Sequence, residues 1–304
     1  MRGSTEQGHD SCLQQQAQRR RQSSPQPTKA TMSLADQTIL ITGASLGIGA
    51  AIAKALAREA CTLILLARSE DKLTALASEL REIAGSASKL TVHTCPCDVR
   101  SSASVLSAIT SIVKTTGPIH VLINNAGLAL GAPKPFHELS IDEIDTMTGT
   151  NLSGYLYVTH AVLNAGGMLK VPSATILNVT SVTGLELPPF PGESIYHTTK
   201  AAQEAFTNAL RVELAGTNVR VLALRPGVVA THFHRQRVGY DDGAYDEFMQ
   251  GYEPLQVEQV AKSAVWMLKQ EEGVSIKALD VVPTGQRSLQ VFDRSWNERH
   301  GEEK

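Results

Sequence analysis

The chain lacks several features that mark out whole classes of protein. It has four cysteines, Cys12, Cys61, Cys95 and Cys97, in 304 residues, too few for a disulfide framework at this length. "CPC" at Cys95–Cys97 has one residue between its thiols, not the two of redox and zinc sites. Reduced thiols on a buried strand are therefore expected. No apolar run approaches the roughly 18 residues of a membrane-spanning helix. Charged residues make up only 19% and the formal net charge is -2, which gives no footing for nucleic acid or an anionic membrane. His232 and His234 in "THFHRQR" have no third ligand at metal spacing. No metal is expected, and the pair reads as part of a solvated loop.

Residues 1–33 differ from all that follow. They are rich in Gln, Arg, Ser and Pro, with five basic against two acidic residues, so this tail carries +3 and the rest -5. Such a segment cannot bury enough apolar surface to offset the entropy of ordering, and disorder is expected. It contains no apolar core of a secretory signal. A cytoplasmic protein is the expectation, with mitochondrial import through the Arg- and Ser-rich tail, or a start at Met32, left open. Residues 34–293 read as one domain and residues 294–304 as a polar tail.

Within 34–293, short apolar and β-branched runs recur at Thr38–Thr42, Thr62–Ala67, Leu90–Thr94, His120–Asn124, Ala174–Val179, Arg220–Leu224 and Ala278–Val282. Continuous runs of this length suit strands buried on both faces of a parallel sheet. Helical periodicity at three-and-four spacing separates them, as in Ile48–Glu59 and Ser101–Thr115. The expected fold is α/β: one doubly wound, Rossmann-type domain with a mostly parallel seven-stranded sheet.

"ITGASLGIGA", Ile41–Ala50, supports two readings. Gly43-Ala44-Ser45-Leu46-Gly47 fits the G-x-S-x-G elbow of a serine hydrolase. Gly43, Gly47 and Gly49 fit a turn that lets backbone approach a dinucleotide phosphate at a helix N-terminus. An elbow serine normally comes after several strands and needs a later acid and histidine. Ser45 follows the first strand.

Seven motifs in order decide between the two: "TGASLGIG" (Thr42–Gly49), "CDV" (Cys97–Val99), "NNAG" (Asn124–Gly127), "TN" (Thr150–Asn151), "NVTS" ending at Ser181, "YHTTK" (Tyr196–Lys200) and "RPGVVAT" (Arg225–Thr231). Together they resemble the short-chain dehydrogenase/reductase family over Leu34 to Asp293. The resemblance implies an oxidoreductase with Tyr196, Lys200, Ser181 and Asn151 as catalytic residues. Lys200 would also bind the nicotinamide ribose, Ser181 would hold the substrate oxygen, and Asn151 would anchor a relay water. It further implies cofactor contacts from Gly43, Ser45, Gly47, Ile48 and Gly49. Asp98 would face the adenine amine, with Asn124 and Gly127 beside the adenosine ribose. Pro226, Gly227, Val228 and Thr231 would hold the carboxamide, Pro226 and Val228 serving equally well as packing. Helices Ile141–Met168 and Ile195–Ala215 would form the interface of a homodimer or homotetramer.

Tyr196 and Lys200 lie four apart, on one helical face. A free phenol titrates near 10, and a general base works best near the operating pH. A neighbouring ammonium and the cationic nicotinamide are expected to lower Tyr196 by roughly three units, about 4 kcal/mol. "LILLARSED" places Ala67 and Arg68, not a carboxylate, at the end of the second strand. Arg68 can pair with a 2′-phosphate, which points to NADP(H).

"NNAGLALG", "DDG" and "VVPTGQR" resemble the branch of NADP-dependent serine and 3-hydroxy acid dehydrogenases. An acid substrate implies a basic partner, and Arg237, in the loop after Thr231, is assigned that role. Ser181 and Tyr196 are fifteen residues apart, where the family has about thirteen, and "ELPPFPGE" fills the gap. Phe190 in this insertion offers apolar surface at the cleft mouth, which leaves a larger lipophilic ketone as the alternative substrate. An inert dinucleotide-binding regulator is the remaining alternative, although such proteins tend to lose the tyrosine or lysine that this chain keeps.

Overall fold

The computed structural model describes residues 32–301. The expectation for the N-terminal tail therefore lies, but for Met32 and Ser33, outside the described residues. The apolar runs become β1 (Thr38–Thr42), β2 (Thr62–Ala67), β3 (Thr91–Pro96), β4 (Val121–Asn124), β5 (Ala174–Val179), β6 (Val219–Pro226) and β7 (Ala278–Val281). All seven pair in parallel, in the order β3-β2-β1-β4-β5-β6-β7. Every residue of β1 and β5 is buried, as a sheet covered on both faces requires.

Between the strands run α1 (Gly47–Leu56), α2 (Glu70–Ala84), α3 (Ser102–Thr116), α4 (Ile141–Thr148), α5 (Tyr155–Leu163), α6 (Ser194–Glu213), α7 (His232–Arg237), α8 (Asp242–Met249) and α9 (Val257–Leu268). Alternation along the strands sends Ile39, Ile41, Leu63 and Leu65 to one core, shared with α1 and α9. Leu40, Ile64, Leu122 and Ile176 go to the other, with α3 and α5. The chain leaves β1 toward β3 and then crosses back to β4. The C-terminal ends of β1 and β4 therefore part into a crevice at the point where the winding reverses. Cys61, Cys95 and Cys97 are free and buried. Burial pushes the first two up to about 12 and about 11, so they stay as unreactive thiols at neutral pH.

Two expectations need correcting. Ile141–Met168 is not one helix, because a π-helical turn at Gly149–Gly154 separates α4 from α5. That turn rotates Asn151 inward. It also brings Gly154 so close to β3's exit that a Cβ there would lie 2.7 Å from Val99 Cγ2. Nor do residues 294–301 of the expected polar tail stand apart from the domain. A hairpin of β8 (Gln286–Ser288) and β9 (Val291–Phe292) leads to α10 (Trp296–His300), and Trp296 packs onto the Val228, Phe248 and Tyr252 cluster. Arg294 donates to the carbonyls of Phe248 and Gln250, closing the C-terminal end of α8.

Candidate active site

The glycine turn is locked to the neighbouring strand by its backbone. Gly43 and Gly47 have φ of 63° and 58°, the left-handed region where a side chain is strained. A Cβ on Gly43 would also lie 2.8 Å from Ala126 Cα. Thr42 Oγ1 accepts from the amides of Asn125 and Ala126, and Asn125 Nδ2 donates to the carbonyl of Thr42 at 3.0 Å. Ser45, Gly47 and Ile48 line the cleft at the start of α1, where unpaired amides and the helix dipole favour a phosphate.

The expected pairing of Asn124 with the ribose is not what the fold produces. Asn124 points into the sheet interior, donating to Thr159 Oγ1 and Asn178 Oδ1, and it is Asn125 that faces the crevice. Gly49 likewise lies beneath the turn, its Cβ position 2.5 Å from Asn125 Nδ2. Gly127 does border the cleft, with Lys200 Nζ 3.7 Å from where its Cβ would be.

At the far end, Arg68 and Lys72 line the same wall as Ser45. Asp98 also reaches the cleft, but its carboxylate is held by Arg100, at 2.7 Å from Nη2 to Oδ2. The hydrogen bonds from Arg100 keep it below the usual carboxylate range.

The opposite end brings Ser181, Tyr196 and Lys200 together, despite the longer connection. Ser181 follows β5, donates to Pro226 O at 3.5 Å and accepts from Thr183 N at 3.1 Å. Lys200 Nζ donates to Val179 O at 3.2 Å and Gln203 Oε1 at 3.1 Å, and stands 5.8 Å from the Tyr196 ring centre. Burial drives these two groups in opposite directions. Tyr196 is pushed up to about 12, opposed by the charge of Arg237 and by Ser181. Lys200 is brought down to about 8, opposed by Glu204. The protein's own cations do not lower Tyr196, because desolvation outweighs them; the expected lowering also invokes the charge of the nicotinamide. A phenol held protonated is a proton donor.

Asn151 is buried and bonded through both its side chain and its backbone. Its side chain pins the loop after β4, accepting from Leu128 N at 2.9 Å and donating to Leu128 O at 2.8 Å. Its backbone carbonyl accepts from Gln203 Nε2 at 2.5 Å.

Beyond Tyr196, α7 forms the outer wall. It is a helix rather than a solvated loop, and Arg237 is only 3% exposed. Arg237 Nε donates to Glu193 Oε1, its Nη1 meets His234 Nδ1 at 3.3 Å, and its Nη2 is buried without a partner among the described residues. Phe190 does not line the cleft. It packs on Phe248, 4.9 Å between ring centres, and under the Arg237 guanidinium. Pro226, Gly227, Val228 and Thr231 border the cleft, yet the Val228 amide already donates to Gln286 Oε1 and its side chain joins the aromatic cluster. Val228 thus both packs and borders the cleft.

His234 gives α7 a pH signature. Burial and the charge of Arg237 lower it from 6.5 to about 3. The unfolded chain takes up this proton near 6.5, while the folded state holds the imidazole neutral. Its stabilising contribution is therefore present above pH 6.5 and lost as pH falls toward 3. Melting temperature should drop through this window, and His234→Phe should flatten the drop. Parallel curves for the two proteins would remove His234 as the cause.

The cleft joining these ends encloses ≈ 390 Å³. It has phosphate-binding backbone at one end and a proton donor with a hydroxyl partner at the other. The short chain dehydrogenase family matches residues 37–239. Sulfoacetaldehyde reductase 2 of Chromohalobacter salexigens is 38% identical over 249 residues, 82% of this chain and 94% of that protein. The NADP-dependent 3-hydroxy acid dehydrogenase of Schizosaccharomyces pombe is 39% identical over 253 residues, 82% and 93% of the two chains. The closed form of serine dehydrogenase complexed with NADP+ superposes with a TM-score of 0.74 at 32% identity, over 83% of this chain and 97% of that one.

Proposed function

The chain belongs to the short-chain dehydrogenase family and is an oxidoreductase acting on hydroxyl and carbonyl groups; on that premise we propose that it is an NADPH-dependent reductase of small carbonyl acids, returning 3-hydroxy acids or close analogues. Ser45 is then a phosphate contact and not a nucleophile. The observation that carries the substrate class is the unpartnered Nη2 of buried Arg237 on the wall beside Tyr196. A buried guanidinium N–H without an acceptor is costly, and an acid oxygen supplies one.

The donor set fits a dinucleotide phosphate: Gly47 and Ile48 at the head of α1, Arg68 with Ser45 for a 2′-phosphate, and Lys200 beside Gly127 for a ribose. When bound, the nicotinamide supplies the hydride to the carbonyl carbon. Ser181 donates a hydrogen bond to the carbonyl oxygen and orients it. Tyr196, protonated across the neutral range, delivers the proton to that oxygen as charge develops there. Lys200 holds the ribose and lends positive charge as the phenolate forms. Exposed Tyr157 and Val212, on helices flanking the sheet, suit a homodimer or homotetramer.

A second reading, reduction of a neutral lipophilic ketone, is favoured by one feature. Glu193 already neutralises Arg237, and the rings of Phe190 and Phe248 flank the pair. Oxidation of NADPH with matched 3-oxo acids and neutral methyl ketones separates the two. The acids should show kcat/KM higher by about tenfold or more, the worth of one charge-assisted hydrogen bond. Equal values would move the assignment to neutral ketones. Arg68→Ala should weaken NADPH binding about tenfold and leave NADH binding unchanged. Equal losses for both cofactors would remove Arg68 from the phosphate site.

A further inference from the structure

Gln203 is buried to 1% exposure on the inward face of α6, three residues after Lys200. Its amide spans two partners that fix which end is which. Lys200 can only donate, so the amide oxygen faces it at 3.1 Å; the Asn151 carbonyl can only accept, so the amide nitrogen faces that, at 2.5 Å. The Asn151 carbonyl is presented by the π-helical turn, within which the next amide, Tyr155 N, bonds to Leu152 O instead. Lys200 has three N–H donors. Val179 O takes one and Gln203 takes another, which leaves one directed to the cleft floor beside Gly127.

We infer that Gln203 is a positioning residue for the reaction: its side chain bridges the Asn151 carbonyl to the Lys200 ammonium and so aims the remaining N–H of Lys200 at the cofactor ribose. This rests on the cofactor-binding part of the function proposed above.

The charged and titratable groups facing Lys200 are Tyr196 and Glu204 on its own helix. From β6 comes Arg225, which is bound to Glu204 at 2.7 Å. The residues of β5 and of the π-helical turn are all uncharged. Gln203→Leu removes both hydrogen bonds. Gln203→Glu keeps an acceptor for Lys200 and adds charge, but loses the donor to Asn151.

The test is NADPH binding to wild type and both variants, read by nucleotide fluorescence from pH 6 to 10, with melting temperature recorded for each. Gln203→Leu should weaken binding about tenfold, the loss of one oriented charge-assisted contact. The pH at which binding falls off should move down in Gln203→Leu, which no longer supports the ammonium, and up in Gln203→Glu, which does so more strongly. Opposite displacements cannot come from a general loosening of the fold. Unchanged affinity and an unmoved profile in Gln203→Leu would overturn the inference, as would displacements of the same sign. No carbonyl substrate is needed, so failure of the acid-reductase reading would show separately, as wild type that binds NADPH tightly and reduces nothing.

Discussion

Replacing Tyr196 with Phe should lower the rate of carbonyl reduction by about 10²–10⁴-fold, the usual worth of a general acid, while NADPH binds as before. The ring itself fills the buried cluster of Leu128, Leu139 and Met147, and Phe keeps that packing. Only the hydroxyl and its proton are removed. Ser181 would continue to orient the carbonyl, so residual turnover should not depend on a group titrating at high pH. Stopped-flow hydride transfer in the variant, with NADPH affinity measured alongside, checks both halves. A rate within about threefold of wild type would mean that the proton comes from elsewhere.

Arg237→Met should destabilise the fold by about 3–5 kcal/mol, because it leaves the Glu193 carboxylate buried without its counterion. The two side chains are only 4% and 1% exposed, so water cannot take the missing partner's place. Combining Arg237→Met with Glu193→Gln removes the charge along with its partner and should recover most of that loss. Urea unfolding of the two single variants and the double variant gives the coupling directly. Strict additivity would show that the pair stores no interaction energy. Catalysis should respond differently from stability. Arg237 lowers Tyr196 and Glu193 raises it, so the pair's influences on the phenol oppose each other and the double variant should keep a near-normal pH profile. Acid substrates alone should lose affinity.

What could be read from the sequence follows the range of the interactions involved. The strands were legible because burial on both faces writes itself as continuous apolar runs, and Tyr196 and Lys200 because a four-residue spacing fixes two side chains on one helical face. Asn124 and Asn125 were harder. They are neighbours at a strand end, and the two-residue alternation of β4 sends one inward and the other to the crevice; a motif covering both does not say which. Arg237 and Glu193 meet across 44 residues of chain, and no local pattern announces the pairing. Gln203 does have a signature in the sequence. Tyr196, Thr199, Lys200, Gln203 and Thr207 fall in helical phase on the buried side, where a helix packed on a sheet would normally carry leucine or valine. A run of polar residues on the inner phase of a helix marks a face bonded to something other than a core.

The same face sets a limit on how the protein can be improved. Every aliphatic replacement along the inner side of α6 would strand buried polar partners, as Thr207 is bonded to Tyr155 and Asn178 and Gln203 to Lys200 and Asn151, so heat resistance would fall with each one. Each would also erase a contact on which proton transfer or nucleotide grip depends. Consensus design or directed evolution toward thermostability should therefore find its gains on the outer helices and leave this one untouched. A library selected for stability without selection for turnover should therefore still keep this face polar.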